Sequence, residues 1–365
     1  MNRDIKLNRL KELIDRPTVK PSPLFECYED KVICHVCNRQ CKIPEGEWGY
    51  CGTRFNFNNT LYTATYGDLS AIESRPIEIK PFFHYWPGSS SLTFSTWSCN
   101  FDCPWCQNHH LSRAKPDPRT ASYINPKSLV GMAIRNGDQG LCVSFNEPTM
   151  LFEYCLDVFP LAKSKGLYCC FVSNGFMSPE ALEMLVKAGL DGLKVDVKGD
   201  EEVYEKYIGV KGADLVWRNV EKAIKMGLHV EIVFLLVNGV NDDENCISSV
   251  IENHLKHAGP EVPIHFTRYY PAYRFRNPPT LLEVIDRAYN MAKKAGVMYP
   301  YVGNVPGHPG YHTYCPKCGK PVIKRFQYGV YEVKLTEDKK CMYCKNPIPI
   351  TGSVQTTKKG FKLFI

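Results

Sequence analysis

The sequence has no long apolar run and no leader-like start. Its longest apolar stretch, Val230 to Val237, falls far short of the ~20 residues that a membrane-spanning helix takes. The opening residues, MNRDIKLNRLKELIDR, are charged and carry no apolar core, so no secretory signal is expected. Internal repeats and low-complexity tracts are also missing. These absences point to a soluble, cytoplasmic protein with no membrane partner. Its 365 residues, 44% of them hydrophobic, suffice for one large domain of the barrel or open-sheet kind with smaller attachments.

Acidic charge is scarce at one end. From Tyr311 to Ile365 there are eleven Lys and Arg, among them Lys324, Arg325, Lys339, Lys340, Lys358 and Lys359, against Glu332, Glu337 and Asp338. The tail therefore carries +8, and the formal total of +7 leaves about −1 for everything before it.

Cysteine, by contrast, is abundant, with 17 in the chain. Eleven fall into three tight groups: Cys34/Cys37/Cys41/Cys51, Cys99/Cys103/Cys106 and Cys315/Cys318/Cys341/Cys344. The other six (Cys27, Cys142, Cys155, Cys169, Cys170, Cys246) are scattered, several in strand-like runs where buried free cysteine is ordinary. A disulfide framework suits short secreted chains, so metal is the better account of the groups.

Three regions follow from composition: residues 1–87 with the first cysteine group, 88–306, and 307–365 beyond the Pro- and Gly-rich NVPGHPG at 304–310. The middle region has the rhythm of a parallel α/β sheet. Candidate strands are 91–96, 141–146, 168–174, 192–198, 230–237 and 263–270. The stretch 178–189 opens with Ser178 as N-cap and Pro179 at the first helical position and ends on Gly189. The stretch 280–296 begins with a capping-box pair, Thr280 and Glu283. Six strand–helix units are fewer than a full barrel needs. They predict a partial (β/α)6 TIM-type barrel with a cysteine-rich N-terminal extension and a C-terminal zinc-ribbon-like module. Ligands gather at the C-terminal strand ends in such folds.

Residues 99–108 read CNFDCPWCQN. Thiolates without histidine select zinc, copper(I) or iron–sulfur clusters, and a structural zinc site wants four ligands. Three cysteines in one loop suit a [4Fe–4S] cube with one iron left open, to which S-adenosylmethionine (SAM) can bind. A zinc knuckle completed by a distant cysteine is the plainer alternative. The loop, following a strand, resembles the signature of the radical SAM superfamily, and that resemblance implies that Trp105, the aromatic before the third cysteine, lies against the adenine. It also implies that Glu147, in FNEP, accepts from the methionine ammonium, although the family's glycine pair is replaced there by Phe145 and Asn146. Later strand ends offer Asn146, Ser173 and Asn174, and Asp196 and Lys198 in DVK suit the ribose hydroxyls and the methionine carboxylate. Taken singly, each is as well read as a helix cap or surface pair.

Longer segments narrow the resemblance. CHVCNRQCKIPEGEWGYCGTR, CNFDCPWCQN, FNEPT, DVKG, GVND, IHFTRYYP, YVGNVPG and CPKCG are similar to the AmmeMemoRadiSam-system radical SAM enzymes, themselves similar to pyruvate formate-lyase activating enzymes. The resemblance implies reductive cleavage of SAM to a 5′-deoxyadenosyl radical, a flavodoxin- or ferredoxin-like electron donor, and association with AMMECR-type and Memo-type proteins. Two departures count against simple transfer of an activase role: Ser98 stands where a glycine is expected, and the glycine pair near Glu147 is absent. Modification of RNA, motivated by the basic tail, is a further enzyme reading. A metal-carrying scaffold or nucleic-acid-binding protein is the reading without catalysis.

Cys315, Cys318, Cys341 and Cys344 have the spacing of a zinc ribbon. The N-terminal four fit zinc or a second, fully coordinated cluster. His265, on the sixth candidate strand with Arg268, can reach a substrate from a barrel interior, and the resembling activases place a histidine late in the barrel. As a lone histidine in an apolar strand it also suits a satisfied core position.

Overall fold

Alternating β-rich and helical periods build an eight-stranded sheet in the computed structural model, which describes residues 3–357. Lys358 and Lys359 lie outside the described residues. The strands are β1 (Ala71–Pro76), β2 (Ser90–Ser95), β3 (Gly140–Val143), β4 (Tyr168–Ser173), β5 (Gly192–Val197), β6 (His229–Leu236), β7 (Ile264–Arg268) and β8 (Pro300–Val302). Each pairs with its neighbours in sequence, β1 antiparallel to β2 and all the others parallel. Between β2 and β8 run α1 (Pro126–Asn136), α2 (Phe152–Lys163), α3 (Pro179–Ala188), α4 (Ala213–Lys225), α5 (Glu244–His257) and α6 (Leu282–Ala295). The six expected strand–helix units are therefore present, in an open partial barrel whose end strands do not pair with each other.

β1 and β8 extend the sheet beyond those units. Neither has a strand-like signature. β8 is only three residues long, and β1, AIESRP, is a half-buried edge strand rich in charge. β1 also brings the sheet into the stretch before residue 88.

α3 begins and ends as its sequence predicts: Ser178 Oγ accepts from Ala181 N at 3.0 Å, and Gly189 ends the helix at φ 118°. α6 differs. Its N-cap is Leu281, and the expected capping box does not form. Thr280 Oγ1 instead accepts from Tyr269 N at 3.1 Å and donates to Leu236 O at 2.5 Å. Two buried backbone groups at adjacent strand ends need partners more than an exposed helix end does.

Strand alternation divides the core in two. Along β4, Cys169 and Phe171 pack toward the helices, whereas Tyr168 and Cys170 turn to the other face and pack with Phe82, Tyr85 and Cys142. Phe82, Phe83, His84 and Tyr85 are fully buried at the N-terminal end of the strands. The Phe83 and His84 backbone amides donate to Glu231 at 2.9 and 2.7 Å.

The C-terminal module, with strands Thr313–Tyr314, Pro321–Phe326 and Gly329–Val333, docks on that same segment. Arg325 is buried there, donating to Phe83 O at 2.5 Å and Thr313 Oγ1 at 2.8 Å, its guanidinium 4.3 Å from the Phe83 ring centre. One of the cations that make the tail basic is thus structural. No helix among the described residues is long and apolar enough to cross a membrane.

Candidate active site

A cavity of about 440 Å³ opens at the C-terminal ends of β2 to β5. Its wall brings together Cys99, Cys103 and Cys106 with Asn146, Glu147, Ser173, Asn174, Asp196 and Lys198. Two sequence candidates do not line it, Trp105 and His265. The Trp105 indole is buried beside the cysteine loop between Tyr207 and Phe275, ring centres 5.7 and 5.8 Å away. His265 is fully buried elsewhere, with Nε2 2.7 Å from Glu231 Oε2 and its ring stacked on Tyr301 at 5.0 Å. Burial lowers its pKa below the ordinary histidine value, which keeps it a neutral partner of a buried glutamate.

Three of the wall residues, Glu147, Ser173 and Asn174, hold one another. Glu147 accepts from Thr149 N at 3.2 Å, from the Thr149 hydroxyl, from Ser173 Oγ at 2.9 Å and from Asn174 N at 2.8 Å. Three of these donors converge on Oε1, whereas Oε2 takes Asn174 N and only a weaker 3.2 Å contact from Ser173, which leaves Oε2 able to accept a further donor. Burial raises the Glu147 pKa, and these hydrogen bonds offset only part of the effect. Asn174 Nδ2 donates to Asn100 Oδ1 at 2.7 Å, and Asn146 Nδ2 to Ser98 O at 2.7 Å. The ends of β3 and β4 are thereby tied to the cysteine loop itself.

The loop's three thiols do not converge on one point. No three cysteine sulfurs of Cys99, Cys103 and Cys106 lie within 4.8 Å of one another. Burial pushes the Cys99 thiol well up and the Cys103 thiol to about 11, so deprotonation here waits on a metal. All three thiols line the cavity, and a set of three thiolates would suit a [4Fe–4S] cluster. Ser98 has φ 71°, the left-handed conformation that favours glycine, and its hydroxyl donates to Cys51 O.

Charge in the cavity is predominantly positive. Asp196 Oδ2 accepts from Lys194 Nζ at 2.8 Å. Burial opposes its ionisation, but Lys194 and Lys198 outweigh that and hold its pKa below the usual carboxylate value. Burial likewise opposes the Lys198 ammonium, yet Asp196 and the Cys103 thiol keep its pKa above the lysine value. Lys80, from the segment after β1, is buried in the same wall, 5.8 Å from the Phe145 ring centre. Desolvation brings its pKa down to about 8. Arg75 completes the cationic lining.

Lys80, Lys194 and Arg75 were not among the sequence candidates. A period-two signal was available for Lys194, because Lys194, Asp196 and Lys198 alternate along β5 and its end. Nothing in the sequence marks Lys80, which sits outside any periodic element.

The C-terminal cysteines converge: all four sulfurs lie within 4.8 Å of one another, with Cys315–Cys344 at 3.5 Å and Cys318–Cys341 at 3.7 Å. That convergence suits a bound metal ion. The N-terminal four line a smaller cavity of their own.

Comparison with known proteins agrees with this geometry. The family described as "Radical SAM superfamily" matches residues 95–246. An uncharacterized protein of Methanocaldococcus jannaschii is 35% identical over 324 residues, 88% of this chain and 96% of that one. The mitochondrial GTP 3′,8-cyclase of Arabidopsis thaliana is 28% identical over 155 residues, and the match spans 40% of this chain and 39% of the cyclase. A solved domain of the pyruvate-formate lyase-activating enzyme of Bacteroides vulgatus is similar at TM-score 0.39 and 20% identity, covering 45% of this chain and 99% of that domain.

Proposed function

The chain belongs to the radical SAM superfamily, and we propose that it uses a [4Fe–4S] cluster on Cys99, Cys103 and Cys106 to act on a substrate carrying an anionic group. The observation that carries this reading is one cavity wall in which the three cysteines face Lys80, Lys194, Lys198 and Arg75. When bound, the cluster and SAM supply a one-electron cleavage to methionine and a 5′-deoxyadenosyl radical that abstracts a hydrogen atom.

The chain's own part is to bind, orient and exclude water. Lys198 pairs with the methionine carboxylate, Asp196 accepts from the ribose hydroxyls, and Trp105 backs the adenine side of the cysteine loop. Glu147, held in place by Thr149, Ser173 and Asn174, offers Oε2 to the methionine ammonium. Lys80 then remains for the substrate's carboxylate or phosphate, with Arg75, itself paired with Glu73, beside it. Zinc fills the C-terminal cysteine site: tetrahedral zinc at Zn–S about 2.3 Å sets its sulfurs about 3.8 Å apart. A flavodoxin- or ferredoxin-like protein supplies the electron.

The test is anaerobic. The protein is reconstituted with iron and sulfide, given SAM and dithionite, and 5′-deoxyadenosine is followed by chromatography and mass spectrometry. Product from the wild type and none from Cys106→Ala is expected. Equal product from both, or none from wild type carrying a full [4Fe–4S] signal, overturns the reading.

A further inference from the structure

We propose that Cys34, Cys37, Cys41 and Cys51 hold a second [4Fe–4S] cluster, which passes electrons to the cluster on Cys99, Cys103 and Cys106.

The spacing of the sulfurs separates this site from a zinc site within one molecule. A single tetrahedral zinc draws four thiolates to about 3.8 Å of one another. The C-terminal four come near that spacing, with Cys315–Cys344 at 3.5 Å, Cys318–Cys341 at 3.7 Å and all four within 4.8 Å. In the N-terminal group no three sulfurs do, and the same is true of Cys99, Cys103 and Cys106. A cubane spreads its thiolates because each binds a different iron. The N-terminal group therefore has the pattern of the radical SAM loop, not that of the ribbon.

The surroundings agree. All four cysteines line one cavity whose other walls come from Val36, Ile43, Gly49 and Met150 and from the polar side chains of Arg39, Arg54 and Asn100. Asn100 is fully buried, and its Nδ2 has no hydrogen-bond partner although its Oδ1 accepts from Asn174 at 2.7 Å. A buried amide donor without a partner costs about 1–3 kcal/mol. Cluster sulfur is an acceptor of the kind that such a donor serves.

Residues 98–100 join the two sites. Ser98 donates to the Cys51 carbonyl, Cys99 faces the SAM cavity, and Asn100 lies in the wall of the N-terminal cavity. In the relay, a low-potential one-electron carrier of the flavodoxin or ferredoxin class is oxidised by one electron as the second cluster is reduced. The second cluster returns to its oxidised state as the first gains that electron. The relay rests on the proposed function, whereas the identity of the second cluster does not.

The deciding experiment counts metal. The Cys99→Ala/Cys103→Ala/Cys106→Ala variant, reconstituted anaerobically, is expected to hold about four irons, about four sulfides and about one zinc per chain, with a reduced-cluster EPR signal. Two zincs and less than one iron overturn the proposal, and so does a two-iron cluster. Should the triple variant fail to fold, the wild type decides between about eight irons with one zinc and about four irons with two. SAM takes no part in these counts, so they stand whether or not the radical reading does. For the relay, Cys37→Ser is expected to keep dithionite-driven 5′-deoxyadenosine formation but lose at least about tenfold of the rate with a flavodoxin-class donor. Equal loss, or no loss, with both reductants overturns the relay.

Discussion

Replacing Lys80 with methionine should make this protein more stable. The ammonium is buried in the cavity wall, and desolvation lowers its pKa from the ordinary 10.5 to about 8. Each tenfold change in proton affinity is worth about 1.4 kcal/mol, so burial opposes the charged form by about 3 kcal/mol. Methionine keeps the length and packing of the stem without the charge. Anaerobic urea unfolding of the holoprotein at pH 7 should favour Lys80→Met by about 1–3 kcal/mol. The pH dependence is the stricter test. Between about 8 and 10.5 the unfolded chain binds the Lys80 proton and the folded protein does not, so wild-type stability rises with pH across that window. The variant lacks the group, so its advantage should close by pH 10.5. A variant less stable than wild type at pH 7, or an advantage that stays constant up to pH 10.5, refutes the argument. Binding of the proposed anionic substrate would account for a group retained at that cost.

Two other substitutions probe how the extension is joined to the core. Arg54→Met leaves Glu153 buried without the paired contacts at 2.8 and 2.7 Å, and should cost about 3–5 kcal/mol in urea unfolding. Arg54→Met/Glu153→Met should recover most of that loss, and a double variant no better than the single one would refute the pair's role. Ser98→Ala removes the bond to Cys51 O while keeping the left-handed backbone, and should cost about 1 kcal/mol. Ser98→Gly should be nearly neutral, because relief of backbone strain offsets the lost bond. Equal losses from the two would remove the argument.

The parallel sheet was legible because its strands are apolar runs of four to eight residues between capped helices, as at Ser178 to Gly189. The cysteine loop and the ribbon were legible because metal ligation needs particular residues at particular spacings. What the sequence hid is tertiary. Thr280 has the spacing of a capping box, yet its hydroxyl joins the ends of β6 and β7. His265 alternates to the interior face as expected, but its depth along the strand decides which end it serves, and Glu231 holds it away from the cavity. Glu147 reaches the site, and only the structure reveals how many donors it already has. Lys80 comes from a segment with no period to read.

The two departures from the radical SAM pattern turn out to be one problem with two local answers. Glycine is missing before Cys99 and again before Glu147, and both places still need a left-handed backbone: Ser98 has φ 71° and Phe145 has φ 70°. Each such residue costs roughly 1–2 kcal/mol unless its surroundings hold it. Ser98 is held through its own hydroxyl by Cys51, a ligand candidate of the N-terminal group. Phe145 is held through its carbonyl by Asn108 Nδ2 at 2.7 Å, directly after the cysteine loop, with the Lys80 ammonium near its ring. A glycine in either position would satisfy the backbone without help. Ser98 satisfies it through a side-chain bond that ties the cysteine loop to the N-terminal cysteines, whereas the bond at Phe145 uses the main-chain carbonyl that any residue offers. In this chain the geometry of the cysteine loop is therefore coupled through Ser98 to the N-terminal group, a tie that glycine at position 98 would not make.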